Sequence, residues 1–305
     1  MLRYLIKKLL FMIPIIIGST IIIFLILHLS PGDPVNMIVG PNVTPEVYEN
    51  ISRSLGLDKP LTTQYFIFLG KLLRGDLGQS ILQKRPVLDI VLERFPRTLT
   101  IGVFSLLLSF SIAIPMGIIA AVKRKTAADY MSMSFSLVGI SMPTFWFGLL
   151  LLYFFAYKFR IFPLSGYETW KHYVLPVITV GLTDAAVTAR MMRSSMLEVI
   201  RQDYIRTARA KGVKEIIVIT KHALKNAVLP VITLLGMRIG WIFAGSAVIE
   251  TVFSIPGIGR LMVDAIFSRD YPIVQGSMLI LVISITLGNM LADILYALVD
   301  PRIKY

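Results

Sequence analysis

Long uncharged runs alternate along the chain with short charged ones. Leu9 to Leu29 is 21 residues without a charge, preceded by Arg3, Lys7 and Lys8. Thr98–Val122 is uncharged for 25 residues and Met131–Tyr157 for 27, the latter with Pro143 inside. Tyr173–Ala189 is a weaker run holding Pro176 and Asp184, Asn226–Ile249 carries Arg238, and Ile273–Val299 carries Asn289 and Asp293. About 20 apolar residues cross a bilayer as helix, so the pattern predicts an all-α polytopic membrane protein with six transmembrane helices. A signal-peptide core is only about 7–15 residues and ends in a small-residue cleavage site. The first run is longer and ends in Ser30-Pro31-Gly32-Asp33-Pro34, so a retained first span is expected.

Residues 30–97 separate the first two runs and carry eight basic and seven acidic residues. Thr44 is positioned to cap a helix from Pro45, with Val47, Ile51 and Leu55 on one face and Gly56 as its stop. Pro60 opens a second with Leu61, Tyr65, Phe68 or Leu69, and Leu72; Pro86 opens a third with Val87, Ile90 or Val91, and Phe95. Short amphipathic helices of this kind fit a cap on the outer membrane surface, or a small soluble subdomain. The domain boundaries expected are 1–29 for the terminus and first span, 30–97 for the helical outer loop, and 98–305 for a membrane core that includes a charged loop at 190–225.

That charged loop is the most informative stretch. From Arg190 to Lys225 there are nine Lys/Arg against three acids, Glu198, Asp203 and Glu215. Leu197, Ile200, Tyr204 and Ala208 fall on one helical face, and Gly212 interrupts the pattern as a helix-ending glycine with Lys211 in the last turn. A second helix is expected with Ile216, Ile219, Ala223 and Ala227 on one stripe. Two helices joined by a glycine turn and fixed to a span at each end form a lever. It is either a docking element for a soluble partner or an ordinary basic cytoplasmic loop.

Composition agrees with the span pattern. The 305 residues are 55% hydrophobic and 16% charged, with mean hydropathy +0.74, where soluble domains carry roughly 25% charged residues. The net charge of +13 sits between apolar runs, not on a soluble domain, so it reads as topology and not as nucleic-acid binding. The amino terminus, the 123–125 hairpin, residues 190–225 and the tail together hold 17 basic residues, whereas the two short loops opposite hold 5. Both termini and the lever are therefore expected in the cytoplasm. The chain has no cysteine, and its three histidines, His28, His172 and His222, are far apart. No disulfide, thiolate nucleophile or metal site is expected.

Charged groups inside spans are costly and have a partner or line a water-filled path. Arg238 lies near mid-span, and Asp184 or Asp293 on neighbouring spans can pair with it. With Asn289 these residues either line a solute path or form a structural ion pair, and the ion pair is the simpler account. Pro115, Pro143, Pro176 and Pro230 fall in or at the ends of spans, where freed carbonyls must face protein or water. Gly236, Gly240 and Gly245 leave small surfaces for close helix contacts. No pattern of the type G-x-x-x-x-G-K-[ST], G-x-S-x-G or H-E-x-x-H occurs, so no catalytic residue is expected; any ATP-driven work must come from another subunit.

Several ordered segments carry a family resemblance. They include Leu29-Ser30-Pro31-Gly32-Asp33-Pro34, Leu73-Arg74-Gly75-Asp76-Leu77-Gly78-Gln79-Ser80 and Glu93-Arg94-Phe95-Pro96-Arg97-Thr98-Leu99. Further along come Asp203-Tyr204-Ile205-Arg206-Thr207-Ala208-Arg209-Ala210-Lys211-Gly212, His222 to Pro230, Ile249 to Leu261, and Asp300 to Tyr305. Over essentially its full length the chain resembles the inner-membrane permease subunits of binding-protein-dependent ABC importers, in the dipeptide/oligopeptide/nickel branch. The resemblance implies the type I importer permease fold and a multi-pass location in a prokaryotic inner membrane.

It also implies partners: a homologous second permease, two ATPase subunits that bind ATP and Mg, and an extracytoplasmic solute-binding protein. The chain itself would bind no cofactor. The family's cytoplasmic Glu-Ala-Ala-x-x-x-Gly loop maps onto Arg206, Thr207, Ala208 and Gly212, of which Ala208 and Gly212 keep the general pattern. The resemblance thus makes Tyr204, Arg206, Thr207, Ala208, Lys211, Gly212 and Glu215 the candidate ATPase-coupling residues. Solutes implied for the branch are di- and oligopeptides, with nickel chelates, glutathione and oligosaccharides as alternatives. An ion-coupled secondary transporter is a more distant alternative, since it would be expected to show more spans, an internal repeat and a deep coupling carboxylate.

Overall fold

The apolar runs satisfy their backbone hydrogen bonds internally by forming helices, as a bilayer requires. A computed structural model describes residues 2–29, 35, 44–244 and 247–299, with side chains left undescribed within these at 2–9, 26–29, 54–55, 243–244, 293 and 295–299. The expectations for residues 30–34, Gly245 and residues 300–305 lie outside the described residues. The helices in order are α1 (Leu2–Leu29), α2 (Pro45–Leu55), α3 (Leu61–Leu73), α4 (Val87–Val122), α5 (Ala127–Ser141) and α6 (Thr144–Leu151), the last continued by a π-helical segment (Leu152–Lys158). Then come α7 (Lys171–Val199), α8 (Asp203–Ala210), α9 (Glu215–Ala227, with π-helical hydrogen bonding over Val218–Ala223), α10 (Leu229–Ala244), α11 (Ala247–Val252), α12 (Ile258–Phe267) and α13 (Tyr271–Val299). The fold is all-helical among the described residues, apart from one isolated bridge between Gln79 and Pro86.

By length and composition, α4, α7 and α13 are each able to cross a membrane, two bent pairs add up to two more spans, and Leu10–Leu25 of α1 is a shorter apolar helix. At about 1.5 Å per residue, the 36 residues of α4 exceed a hydrocarbon core of about 30 Å, so part of this helix stands outside it. Two boundaries differ from those expected. The third short helix expected within residues 30–97 does not exist separately: residues 87–97 are the first turns of α4, which starts after Pro86 and passes through Pro96 and Pro115. Val87, Ile90 and Val91 bury themselves against Ile258, Leu261 and Val274 of α12 and α13, and that long-range packing holds the segment in line with the span. The Met131–Tyr157 run is not one straight span either. Met142 and Pro143 are extended, as a residue before proline prefers, and the helices on either side are bent by 104°.

The core pairs are built on small residues. A Cβ on Gly117 of α4 would meet the Ala189 carbonyl oxygen at 2.7 Å, and one on Gly181 of α7 would meet the Ser105 carbonyl oxygen at 3.1 Å. These contacts advance together along both helices, so α4 and α7 run parallel. In α10 and α13 the order reverses: Gly236 faces Ala292, and Gly240 faces Gly288 and Asn289, an antiparallel pair with the close approach that small residues allow.

Between α1 and α4, α2 begins at Pro45 and stops at Gly56 with φ +72°, but the Thr44 side chain makes no capping hydrogen bond. Helix α3 lies against α1. Tyr65 meets Phe24 edge-on at 5.5 Å, and its hydroxyl lies 2.9 Å from Thr20 Oγ1.

Candidate functional site

The 200–225 lever starts where α7 ends. Residues 200–202 turn, Gln202 is extended, and α8 begins at Asp203 with an acid in its first turn and Arg209 in its last, the charge order a helix dipole favours. The break redistributes the expected apolar face. Ile205 and Ala208 are buried, whereas Tyr204 is 42% exposed; its hydroxyl accepts a 2.7 Å bond from Asn226 Nδ2.

Gly212 has φ +75°. Its N–H donates to Arg209 O at 2.9 Å, and Val213 N–H donates to Ala208 O at 3.3 Å, the paired bonds of a Schellman termination. Nothing lies within 4 Å of a Cβ placed on Gly212, so its role is the left-handed backbone and not close packing of the two halves. Across the turn, Arg209 donates twice to Glu215, Nε to Oε2 at 3.0 Å and Nη2 to Oε1 at 2.7 Å. The hydrogen-bonded carboxylate pushes the Arg209 guanidinium above its ordinary value. In α9 the buried stripe is Val218, Ile219, Ala223 and Ala227, while Ile216 is 64% exposed. Three of the four expected stripe positions are therefore buried, with Val218 in place of Ile216.

The buried side of the lever rests on the ends of the long helices. Ile205, Ala208, Val218 and Ala223 share a core with Ala121 of α4 and Met192 and Met196 of α7. Beside it, Arg193 of α7 grips Asp129 of α5 with Nε to Oδ1 at 2.6 Å and Nη2 to Oδ2 at 2.9 Å. Facing outward are Arg206, Thr207, Lys211 and Glu215. Of the expected coupling residues, Ala208 presents no outward surface.

Between the spans, Arg238 Nη2 meets Asp184 Oδ1 at 2.9 Å, one of the two acids the sequence left open. The side chain of Asp293 lies outside the described residues. Both paired groups line a cavity of about 290 Å³ between α4, α6, α7, α10 and α11, together with Ser105, Thr144, Thr183 and Trp241. Asn289 is exposed and sits against Gly240; it does not line this cavity.

Two carboxylates outside the expected set organise the end of the bundle opposite the lever. Glu250 is 1% exposed. It accepts from Thr98 Oγ1 at 2.7 Å and from Arg260 N–H at 2.8 Å, while Thr98 Oγ1 accepts from Ile258 N–H at 2.9 Å. A Cβ on Gly257 would lie 2.3 Å from the Glu250 carboxyl carbon, and one on Gly259 would lie 2.7 Å from Ala247 N. The Ile-Pro-Gly-Ile-Gly run therefore wraps a carboxylate that side chains at 257 or 259 would displace. The signal available in the sequence was an acid at the end of an apolar run followed within a few residues by closely spaced glycines. Asp270, also 1% exposed, is hydrogen-bonded by Ser80 Oγ and accepts from Ile81 N–H and Leu82 N–H at 3.2 Å each. It staples the 78–85 loop to the segment between α12 and α13. Among the described residues, no group of three or more His, Cys, Asp or Glu side chains is placed to hold a metal ion.

Comparison with known proteins agrees with this arrangement. Residues 113–305 match the family described as binding-protein-dependent transport system inner membrane component, and residues 1–102 match the N-terminal family of the same systems. The chain is 42% identical over 305 residues to the glutathione transport system permease protein GsiC of Escherichia coli K12, with 100% of both chains covered. Identity to the protein of that name from Pectobacterium atrosepticum is also 42% over 305 residues. Among solved structures, a chain of the MetNI methionine ABC transporter in an inward-facing conformation aligns with a TM-score of 0.57 at 18% identity, covering 70% of this chain and 97% of that one. At that identity the likeness concerns the fold.

Proposed function

The chain belongs to the inner membrane components of binding-protein-dependent transport systems, and from that premise we propose that it forms half of the path for a di- or oligopeptide-like solute and is moved by partner ATPases through the 200–225 lever. Membership makes it a permease subunit of an ABC importer, seated in the membrane and without chemistry of its own. The peptide-like solute is inferred from the full-length likeness to permeases named for glutathione, itself a peptide.

The observation that carries the mechanical part is the lever's construction. Its outward face is polar and basic, its inward face is buried on the ends of α4 and α7, and its far end continues into α10. Two ATPase subunits closing on ATP and Mg would push on Arg206, Thr207, Lys211 and the turn at Gly212, with Tyr204 and Glu215 bracing the turn from within the element. Because the turn is locked by the Schellman bonds and the Arg209–Glu215 pair, the push would be transmitted as rigid-body tilt of α7 and α10. A homologous second permease would complete the path, and an extracytoplasmic binding protein would deliver solute to the outer face built on Glu250 and Asp270. Counting α1, α4, the α5–α6 pair, α7, the α9–α10 pair and α13 as one crossing each would make six spans with both termini on one side, and the excess of basic residues there supports the cytoplasm as that side.

The test is an importer reconstituted with its partners and carrying Gly212→Val. Solute-stimulated ATP hydrolysis should fall to its unstimulated level while the chain still inserts and assembles. Normal stimulation in that variant would remove the lever from the mechanism.

A further inference from the structure

The Arg238–Asp184 bridge is an open pair. A guanidinium offers five N–H donors and a carboxylate about four acceptor sites, yet among the described residues the two groups make one contact, at 2.9 Å. Their side chains remain 38% and 23% exposed, and that exposure lies in a cavity of about 290 Å³. A pair serving only to hold α7 to α10 would be expected to spend its remaining donors and acceptors on neighbours, since unpaired charge in a span is costly. The hydroxyls around it are largely committed elsewhere: Thr183 bonds back to Val180 O at 2.9 Å and Ser105 reaches Val177 O at 3.4 Å. Glu250, the other charged group on the cavity wall, is engaged by Thr98 and Arg260 N–H. The charged hydrogen-bonding capacity left on the cavity wall is thus that of one cation and one anion side by side.

We propose that this bridge is the resting state of a receptor for the zwitterionic end of a passing peptide, with Arg238 taking a carboxylate and Asp184 an ammonium group. The proposal rests on the peptide reading above and names the chemistry of the path it implies. Charge balance selects the class. The Arg238–Asp184 pair is neutral because its two charges cancel, and a solute carrying both signs keeps that balance when the bridge opens, while Glu250 stays held by its own partners. A simple anion or cation would leave Asp184 or Arg238 uncompensated in a span. A guanidinium fork matches a carboxylate bidentately, and the spare Arg238 donors supply that fork without moving the helix. The volume is at the small end of ligand pockets, roughly 300–1,000 Å³, which suits one end of a peptide and not the whole of a long one.

The full-length chain in lipid nanodiscs, probed by saturation-transfer NMR, tests this. Alanyl-alanine should give a signal, while N-acetyl-alanyl-alanine and alanyl-alanine amide should bind about tenfold more weakly, as loss of one charged hydrogen-bonded contact implies. Asp184→Asn combined with Arg238→Gln leaves no lone charge; it should keep its helix content and lose the dipeptide signal. Arg238→Lys keeps the ion pair but not the fork, and should weaken binding by a similar factor even if the double variant fails to fold. Equal binding of the capped probes, or undiminished dipeptide binding by either variant, overturns the receptor and leaves a structural bridge. Alanyl-alanine uptake by cells with the intact importer tests the parent reading separately: transport of no peptide alongside zwitterion-selective binding overturns the peptide reading alone.

Discussion

At the scale of single residues, the Glu250 end and the lever end of the bundle depend on different physics. Glu250 is held by satisfied hydrogen bonds in a buried site. Glu250→Ala would orphan the Thr98 hydroxyl and the Arg260 N–H, at about 1–3 kcal/mol for each buried unsatisfied group. A thermal scan of the detergent-purified chain should show a clear fall in Tm, and an unchanged Tm would mean the knot contributes nothing. Gly212 is different, because the space around it is empty and only its backbone is demanding. A β-branched residue there costs roughly 1–2 kcal/mol of left-handed strain, whereas asparagine visits that region more readily. Gly212→Asn should therefore retain most of the solute-stimulated ATP hydrolysis that Gly212→Val loses. Equal loss in both would point to a contact made by the partner at this position, not to strain.

At the scale of elements, helix contacts decide what local pattern leaves open. Gly117 of α4 abuts Ala189 O and Met192 of α7, so Gly117→Val forces backbone against backbone. Overpacking of this kind typically costs 1–3 kcal/mol, on the order of a large share of a small core's margin; reduced membrane yield and a lower Tm are expected. Gly70→Ala is the control, since nothing lies within 4 Å of a Cβ there, and it should leave both unchanged. The apolar runs, the two starts at Pro45 and Leu61, and the glycine stops at 56 and 212 were legible because each is a local property. The 104° bend at Met142–Pro143 was not, because a run of apolar residues has the same composition bent or straight. The fusion of residues 87–97 into α4 was hidden for another reason: Val87, Ile90 and Val91 pack on residues more than 160 positions away. Pairing of Arg238 with Asp184 likewise needed three dimensions, since two acids were in range by sequence. Glu250 escaped notice because one acid at a span's edge has the pattern of an ordinary boundary charge.

At the scale of the whole molecule, the parallel run of α4 and α7 constrains topology. Arg193 near the end of α7 grips Asp129 just past the end of α4, so the 123–126 turn and the start of the lever lie at the same end of the bundle. Two parallel spans that finish on one side require the chain between them to return to the other. That supports a crossing by the bent α5–α6 pair, whose geometry alone is equally that of a re-entrant loop. The chain contains no cysteine, so single introduced cysteines report position without background. Arg124→Cys and Lys214→Cys should react with a membrane-impermeant maleimide only after permeabilisation, and Gln83→Cys and Phe267→Cys should react on intact spheroplasts. If α5–α6 merely re-entered, everything after it would invert, and positions 124 and 214 would label from opposite sides. The pair of positions 124 and 214 therefore carries the decision: matched reactivity gives an even number of crossings between them, and protection of both in intact spheroplasts puts the basic lever in the cytoplasm, whereas opposite reactivity would overturn the crossing by α5–α6.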